Sequence, residues 1–240
     1  MKLVIAENYN ELSEKATNDL LEIVKGKAEP VVCTASGDTP AGMYKVLVEK
    51  VSNGAANVNG WYFLGLDEWA EMNGDNEGSC RWHLNNQLFN PLKPAEDHII
   101  FFDGKANLES ECERVENFIG KRGLDVSIVG LGMNGHIGMN EPGTEVSTRT
   151  HISELDPLTA QVGQKYFKSA TELKYGITLG LATLLESKHI FLLVSGSKKA
   201  AIIKDVLEGP VSEEVPATML LNHAGLTIYL DKEAAQFLAQ

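Results

Sequence analysis

Val31-Val32-Cys33-Thr34-Ala35-Ser36-Gly37-Asp38-Thr39-Pro40 joins an apolar, β-branched run to a turn of small polar residues that ends in proline. The apolar run predicts a strand, Val31 to Thr34. Proline suits a first helical turn, where its missing N–H would be unpaired in any case, so a helix follows, read from Ala41 to Val51. The next apolar run, Tyr62 to Leu66, is a second strand. Strand, helix and strand in direct succession form a crossover unit, which sets the two strands parallel.

The same order extends in both directions. Toward the N-terminus, Lys2 to Ile5 reads as a strand, and Leu12, Ala16, Leu20, Ile23 and Val24 recur at helical spacing after an N-cap at Asn8. Toward the C-terminus come strand Ile99 to Phe102, helix Leu108 to Ile119, strand Val126 to Val129 and a helix near Pro157 to Phe167. Gly176 to Thr178, Leu181 to Leu185, strand Ile190 to Val194, helix Lys198 to Leu207, strand Leu226 to Leu230 and a last helix from Lys232 complete the chain. Alternation of this kind predicts an α/β fold: a mostly parallel sheet with helices on both faces, three layers in a Rossmann-like arrangement. No repeat or flexible linker interrupts it, so residues 1–240 are expected to form a single domain.

The 240 residues carry a net charge of −12 and are 43% apolar, enough to bury roughly 70 to 75% of the unfolded surface. An acidic chain without a basic stripe is a poor partner for nucleic acid or an anionic membrane. The start, MKLVIAENYNELSEK, turns polar too soon for a signal peptide, and no apolar run approaches the ~20 residues of a membrane span, so a cytoplasmic protein is expected. Cys33, Cys80 and Cys112 show no C-x-x-C pairing and read as reduced thiols.

Two polar stretches break the alternation, Asp67 to Trp82 and Gly130 to His151, each directly after an apolar strand. Ligands of open α/β sheets bind at the carboxyl ends of strands, so chemistry is expected there. The Ser36-Gly37-Asp38-Thr39 turn offers backbone N–H groups, a helix dipole and two hydroxyls to an anion, although an ordinary strand-to-helix turn reads similarly. Asp67 and Glu68 follow a strand, where adjacent side chains point to opposite faces, so at most one of these carboxylates faces the site as a general base. The segment Gly130-Leu131-Gly132-Met133-Asn134-Gly135-His136-Ile137-Gly138-Met139-Asn140-Glu141-Pro142-Gly143 holds two titratable side chains, His136 and Glu141. A carboxylate five residues after a histidine can fold back to orient the imidazole for proton transfer. Ser195-Gly196-Ser197-Lys198-Lys199 is a further strand-to-helix turn with a lysine able to reach an anion.

In order along the chain, SGDTP, LDEW, GLGMNGHIGMNEPG, TRTHISELD, GITLGLATLL and SGSKKA resemble the amino-sugar-6-phosphate deaminases and isomerases. LDEW, HISELD and GITLGL lean toward the galactosamine-6-phosphate branch rather than the glucosamine branch. The resemblance implies deamination of a 2-amino-2-deoxyhexose 6-phosphate coupled to aldose–ketose isomerisation, with no cofactor and no metal. It implies that Asp67 moves a proton between C2 and C1, that His136 opens the pyranose ring, and that Glu141 orients His136. It also implies that Ser36, Gly37, Asp38 and Thr39 bind the phosphate together with Lys199, and that Lys165 lies where the family has an arginine on a lid.

Three departures accompany the likeness. Asn134 stands where the best-known members have an aspartate, so His136 depends more on Glu141. Lys165 replaces a bidentate guanidinium with a point charge, and Asp38 puts a negative charge beside the anion site in place of a second glycine. His151 and Ser153 occupy two positions that are basic in the allosteric hexamers, so a non-allosteric monomer or small homo-oligomer is expected, with a small-molecule amino-sugar phosphate as its partner. The rivals are a 6-phosphogluconolactonase, whose similar glycine loop lacks the Asn140-Glu141-Pro142 continuation, and a non-catalytic sugar-phosphate-binding domain.

Overall fold

The computed structural model describes residues 1–239. Its elements run β1 (Lys2–Ala6), α1 (Tyr9–Val24), β2 (Val31–Thr34), α2 (Asp38–Ser52), β3 (Tyr62–Gly65), β4 (Asp67–Trp69), α3 (Cys80–Leu84), α4 (Asn90–Leu92) and β5 (Ile99–Ile100). They continue through α5 (Leu108–Arg122), β6 (Val126–Gly130), β7 (His151–Glu154), α6 (Pro157–Gly163), β8 (Tyr175–Thr178), α7 (Leu181–Leu185), β9 (His189–Val194), α8 (Ala200–Glu208) and β10 (Leu226–Asp231). Seven strands form one all-parallel sheet in the order β1-β10-β9-β6-β2-β3-β5. A small antiparallel sheet, β4-β8-β7, stands beside it.

Parallel strands covered on both faces read as unbroken apolar runs, and here each neighbouring pair of side chains parts to opposite layers. Leu64, Val129, Leu192 and Ile228 face one core with Val115 and Ile119 of α5 and Ile203 and Val206 of α8. Phe63, Ile128, Phe191 and Tyr229 face the other, against Leu12, Ala16 and Leu20 of α1 and Met43, Tyr44 and Leu47 of α2. The three-layer expectation is met. Asn8 caps α1 by accepting the N–H of Glu11, as its position before the apolar repeat predicts.

Several local expectations need correction. The helix expected from Lys232 is a run of turns over Lys232–Phe237. Strand pairing that was read to Phe102 stops at Ile100. The polar stretch after Leu66 is structured: Asp67–Trp69 pairs with β8, and α3 is followed by a π-helical turn, Asn85–Phe89. β4 carries no clean period because it is three residues long and its partner β8 lies about a hundred residues away in sequence, and α3 is only five residues long. None of the described helices is long and apolar enough to cross a membrane.

β3 delivers Asp67 to its place through Leu64, which is fully buried in the sheet. Truncation of Leu64 to alanine is expected to lower the unfolding free energy by about 2–5 kcal/mol, read from urea denaturation curves at unchanged slope.

Candidate active site

The chain order reverses at β2: β3 and β5 lie on one side, and β6, β9, β10 and β1 on the other. A crevice opens where the connections diverge, at the carboxyl ends of the strands. Four adjacent strands, β9, β6, β2 and β3, send their following loops to this edge. They carry Lys199, the glycine-rich loop, Ser36–Thr39 and Asp67 in turn.

In the loop after β6, Asn134 Nδ2 donates to Glu141 Oε2 at 2.9 Å, and Asn134 Oδ1 accepts the backbone N–H of His136 at 3.2 Å. His136 Nδ1 lies 3.3 Å from the same Glu141 oxygen and 3.0 Å from Thr159 Oγ1. A carboxylate can only accept, so Nδ1 is assigned the proton, leaving Nε2 unprotonated in the neutral ring. Burial pushes the Glu141 carboxyl up, but the hydrogen bonds from His136, Asn134 and Thr159, with the charge of His136, bring it below the ordinary carboxylate range. The orienting role expected of Glu141 and the hydrogen-bonding capacity of Asn134 therefore meet on one oxygen.

The glycines of this loop permit close approach. A Cβ on Gly132 would sit 2.4 Å from the His136 ring, so the imidazole lies against bare backbone. Gly138 takes φ +62°, and a Cβ there would collide with the Thr178 hydroxyl. Asn140, fully buried, donates to the carbonyls of Ile137 and Leu179 and closes the loop onto the end of β8.

Asp67, 8% exposed, begins β4. Burial pushes its carboxyl up to about 6, while a hydrogen bond from the Cys80 thiol and the charge of His136 work the other way. Glu68 faces away from the site: its two oxygens accept the N–H groups of Trp69, Cys80 and Arg81, each at 2.9 Å. One carboxylate of the pair thus belongs to the crevice, as strand geometry requires.

The turn after β2 places Gly37 as N-cap of α2 with φ +111°, and Asp38 as the first helical residue, three positions before the expected start. Burial holds the nearby Cys80 thiol well above the ordinary thiol range, and Ser36 works the other way. Thr39 enters the network through its carbonyl, which, like that of Asp38, accepts from Tyr9 Oη. Lys165, in a 3-10 turn after α6, reaches back to Asp38 with Nζ 2.6 Å from Oδ2. Tyr166 beside it lies against Gly37, where a Cβ would come within 3.1 Å of the hydroxyl. Lys199 Nζ donates to the carbonyl of Leu131 at 2.7 Å, and burial, then the Lys165 charge, lowers it to about 8. The two residues that depart most from the family pattern around the anion loop, Asp38 and Lys165, are partners.

Thr159, Cys80 and Tyr166 are not legible as site residues in the sequence. Thr159 meets His136 across 23 positions, and nothing in its local sequence marks it beyond the Asp156-Pro157 helix start. A separate surface groove lined by Glu71, Lys105, Ile152 and Tyr175 contains none of the expected residues.

The chain is similar to known proteins over almost its whole length. The profile of the glucosamine-6-phosphate isomerases/6-phosphogluconolactonase family matches residues 6–229. The glucosamine-6-phosphate deaminase of Thermoanaerobacter pseudethanolicus is 37% identical over 99% of this chain and 95% of its own. Glucosamine-6-phosphate deaminase 1 of Bacillus subtilis is 36% identical over 98% of both chains. A solved structure described as a monomeric glucosamine-6-phosphate deaminase superposes with a TM-score of 0.95 at 35% identity, covering 98% of this chain and 99% of that one. The 6-phosphogluconolactonase of Trypanosoma brucei, at 19% identity and a TM-score of 0.78, shares the fold. A matching profile over nearly the whole chain, full-length relatives above 30% identity and a superposable structure together mean that the chain belongs to the glucosamine-6-phosphate isomerase/6-phosphogluconolactonase family.

Proposed function

We propose that this protein deaminates a 2-amino-2-deoxyhexose 6-phosphate, giving the ketose 6-phosphate and ammonia, with glucosamine 6-phosphate as its substrate. The named relatives favour the gluco sugar over the galacto sugar toward which LDEW and HISELD lean. The observation that carries the reading is the pairing, at one crevice, of a buried carboxylate raised to about 6 with an imidazole oriented by a second carboxylate. Bases of this kind are poised to exchange protons near neutral pH.

In this reading Ser36, Gly37, Asp38 and Thr39, with Lys165 and Lys199, hold the phosphate. The first turn of α2 supplies free N–H groups and the positive end of the helix dipole. His136 removes the anomeric hydroxyl proton and returns one to the ring oxygen, opening the pyranose. Asp67 takes the C2 proton, the electron pair forms the C1–C2 double bond, and O1 is protonated to give an enolamine. Return of the proton to C1 yields the ketose imine; water adds at C2 and ammonia leaves. The groups this reading needs are a base, a proton shuttle and a receptor for the substrate's phosphate, roles it gives to side chains and backbone of this chain. The chain works as a monomer in this proposal, supported by the description of the superposable deaminase and checked by light scattering. Lactone hydrolysis is the competing reading, since the family includes both activities.

Asp38 and Lys165 also have a place in it. The ion pair parks the lysine over the anion loop, and an incoming phosphate competes with the Asp38 carboxylate for it. Both groups are well exposed, so the competition is worth only about two- to fivefold in affinity. Asp38→Asn is expected to tighten binding of inorganic phosphate by about that factor, read by calorimetry at constant ionic strength.

The deciding assay is ammonia release from glucosamine 6-phosphate and galactosamine 6-phosphate in parallel, with 6-phosphogluconolactone hydrolysis as control. Ammonia from the gluco sugar at the higher kcat/KM is expected; lactone hydrolysis without ammonia overturns the reading. The base must be ionised, so kcat/KM, which reports the free enzyme, should fall as pH drops through about 6. Asp67→Asn is expected to abolish turnover while sugar-phosphate binding persists; retained turnover would remove Asp67 from the mechanism.

A further inference from the structure

Two acceptors share one imidazole N–H. His136 Nδ1 lies 3.3 Å from Glu141 Oε2 and 3.0 Å from Thr159 Oγ1. A hydroxyl can donate or accept, and Glu141 settles which role Thr159 takes. Burial raises the Glu141 carboxyl, but its hydrogen bonds with His136 and Asn134 bring it below the usual range, so it stands ionised. An unprotonated Nδ1 would turn its lone pair on that carboxylate; the proton therefore sits on Nδ1, and Thr159 Oγ1 accepts it alongside Glu141. The two anchors differ in what holds them. Glu141 belongs to the same glycine-rich loop as His136, five residues on, and grips the ring through the one oxygen that also accepts from Asn134. Thr159 is 7% exposed and comes from α6, an element outside that loop.

α6 is itself seated on the sheet that carries Asp67. Asp156 caps its start by accepting the Leu158 N–H at 2.8 Å. At its end Gly163 packs on Trp69, where a Cβ would come within 3.1 Å of the indole, and Trp69 follows Asp67 by two residues in β4. Just beyond, the Phe167 ring lies 6.4 Å from that of Trp69, and Lys165 pairs with Asp38. We propose that Thr159 is a positioning residue for His136: its hydroxyl ties the imidazole to α6, and through Trp69 to β4, so that Nε2 and the Asp67 carboxylate keep one register across the crevice. This rests on the reading of His136 as the group that opens the ring and of Asp67 as the base. Glu141 alone leaves the imidazole free to pivot about a single contact. A second acceptor on the same N–H, carried by a different element, removes that freedom. When Nε2 takes the anomeric proton the ring becomes an imidazolium, and both acceptors hold it more tightly.

Three substitutions separate the hydroxyl from the volume it occupies. Thr159→Val keeps the shape and removes the acceptor; it should lower kcat for ammonia release about tenfold with KM within about twofold, because the anion loop and Lys199 are untouched. Thr159→Ala should fall at least as far, whereas Thr159→Ser, which keeps the hydroxyl and loses the methyl, should stay within about threefold of wild type. A packing role reverses the order, with Thr159→Val near wild type and Thr159→Ser below it. Deuterium entry at C1 of the ketose 6-phosphate, followed by NMR with ammonium in D2O, draws on Asp67 and not on opening of the amino sugar, and should remain within about twofold of wild type in Thr159→Val. Wild-type kcat in Thr159→Val overturns this inference alone, and so does an equal fall of ammonia release and C1 exchange. If Thr159→Val does not fold, the other pair decides: Thr159→Ser as slow as Thr159→Ala overturns the inference. Wild-type protein that releases no ammonia from either sugar overturns both the inference and the reading on which it rests.

Discussion

A carboxylate that is to take a proton from carbon must be kept out of water and still be able to ionise. Asp67 meets both demands because the chain leaves β3 and enters a second sheet at that residue. Leu66 is the hinge: its N–H pairs with Thr34 of the main sheet, and its carbonyl accepts from Leu179 beyond β8. Had the strand simply ended in a loop, Asp67 would be solvated and its carboxyl would remain in the ordinary range. The small sheet β4-β8-β7 therefore walls Asp67, and the close packing of Gly176 beneath Met139 brings the glycine-rich loop against the same wall.

The remaining charges are distributed by the switch point. Loops from four adjacent parallel strands converge, and two of their carboxylates arrive partnered: Asp38 by Lys165 from the turn after α6, and Glu141 by hydrogen bonds with His136 and Asn134. Lys199 is placed differently. It is partly buried near another lysine and bonded only to a carbonyl, which lowers its hold on its proton. A site with one poorly compensated cation beside a helix N-terminus has the electrostatics of an anion receptor. The negative charge at Asp38 is consistent with this, since a carboxylate in the first turn of α2 favours the helix and engages the lysine while the receptor stands open.

Much of this is legible in the amino-acid sequence. Continuous apolar runs such as Ile190 to Val194 announce strands covered on both faces, and the Asn8 cap and the Pro40 turn announce helix starts. Loops at strand ends that carry Asp67 and the Asn134–Glu141 segment stood out because polar, glycine-rich stretches directly after apolar strands break the alternation. The C-terminal helix was misread because the residues after Lys232 have helical composition, yet Asp231 accepts the Ala234 N–H and turns the chain instead. The short pieces around α3 and its π-helical turn carry too few residues for a period to register.

Sequence alone determined the parallel α/β architecture and the loops after the strands in which Asp67, His136 and Glu141 lie, because these depend on local periodicity and on residue type, whereas the roles proposed for the three side chains come from the family resemblance. Tertiary structure decided which groups act on them. That Thr159 meets His136, that Lys165 pairs with Asp38, and that Glu68 accepts the backbone N–H groups opening α3 are contacts between segments far apart in the chain or folded back on themselves. No local pattern encodes such contacts, because the energy that selects them comes from the burial of whole layers and is shared among residues that are never sequence neighbours.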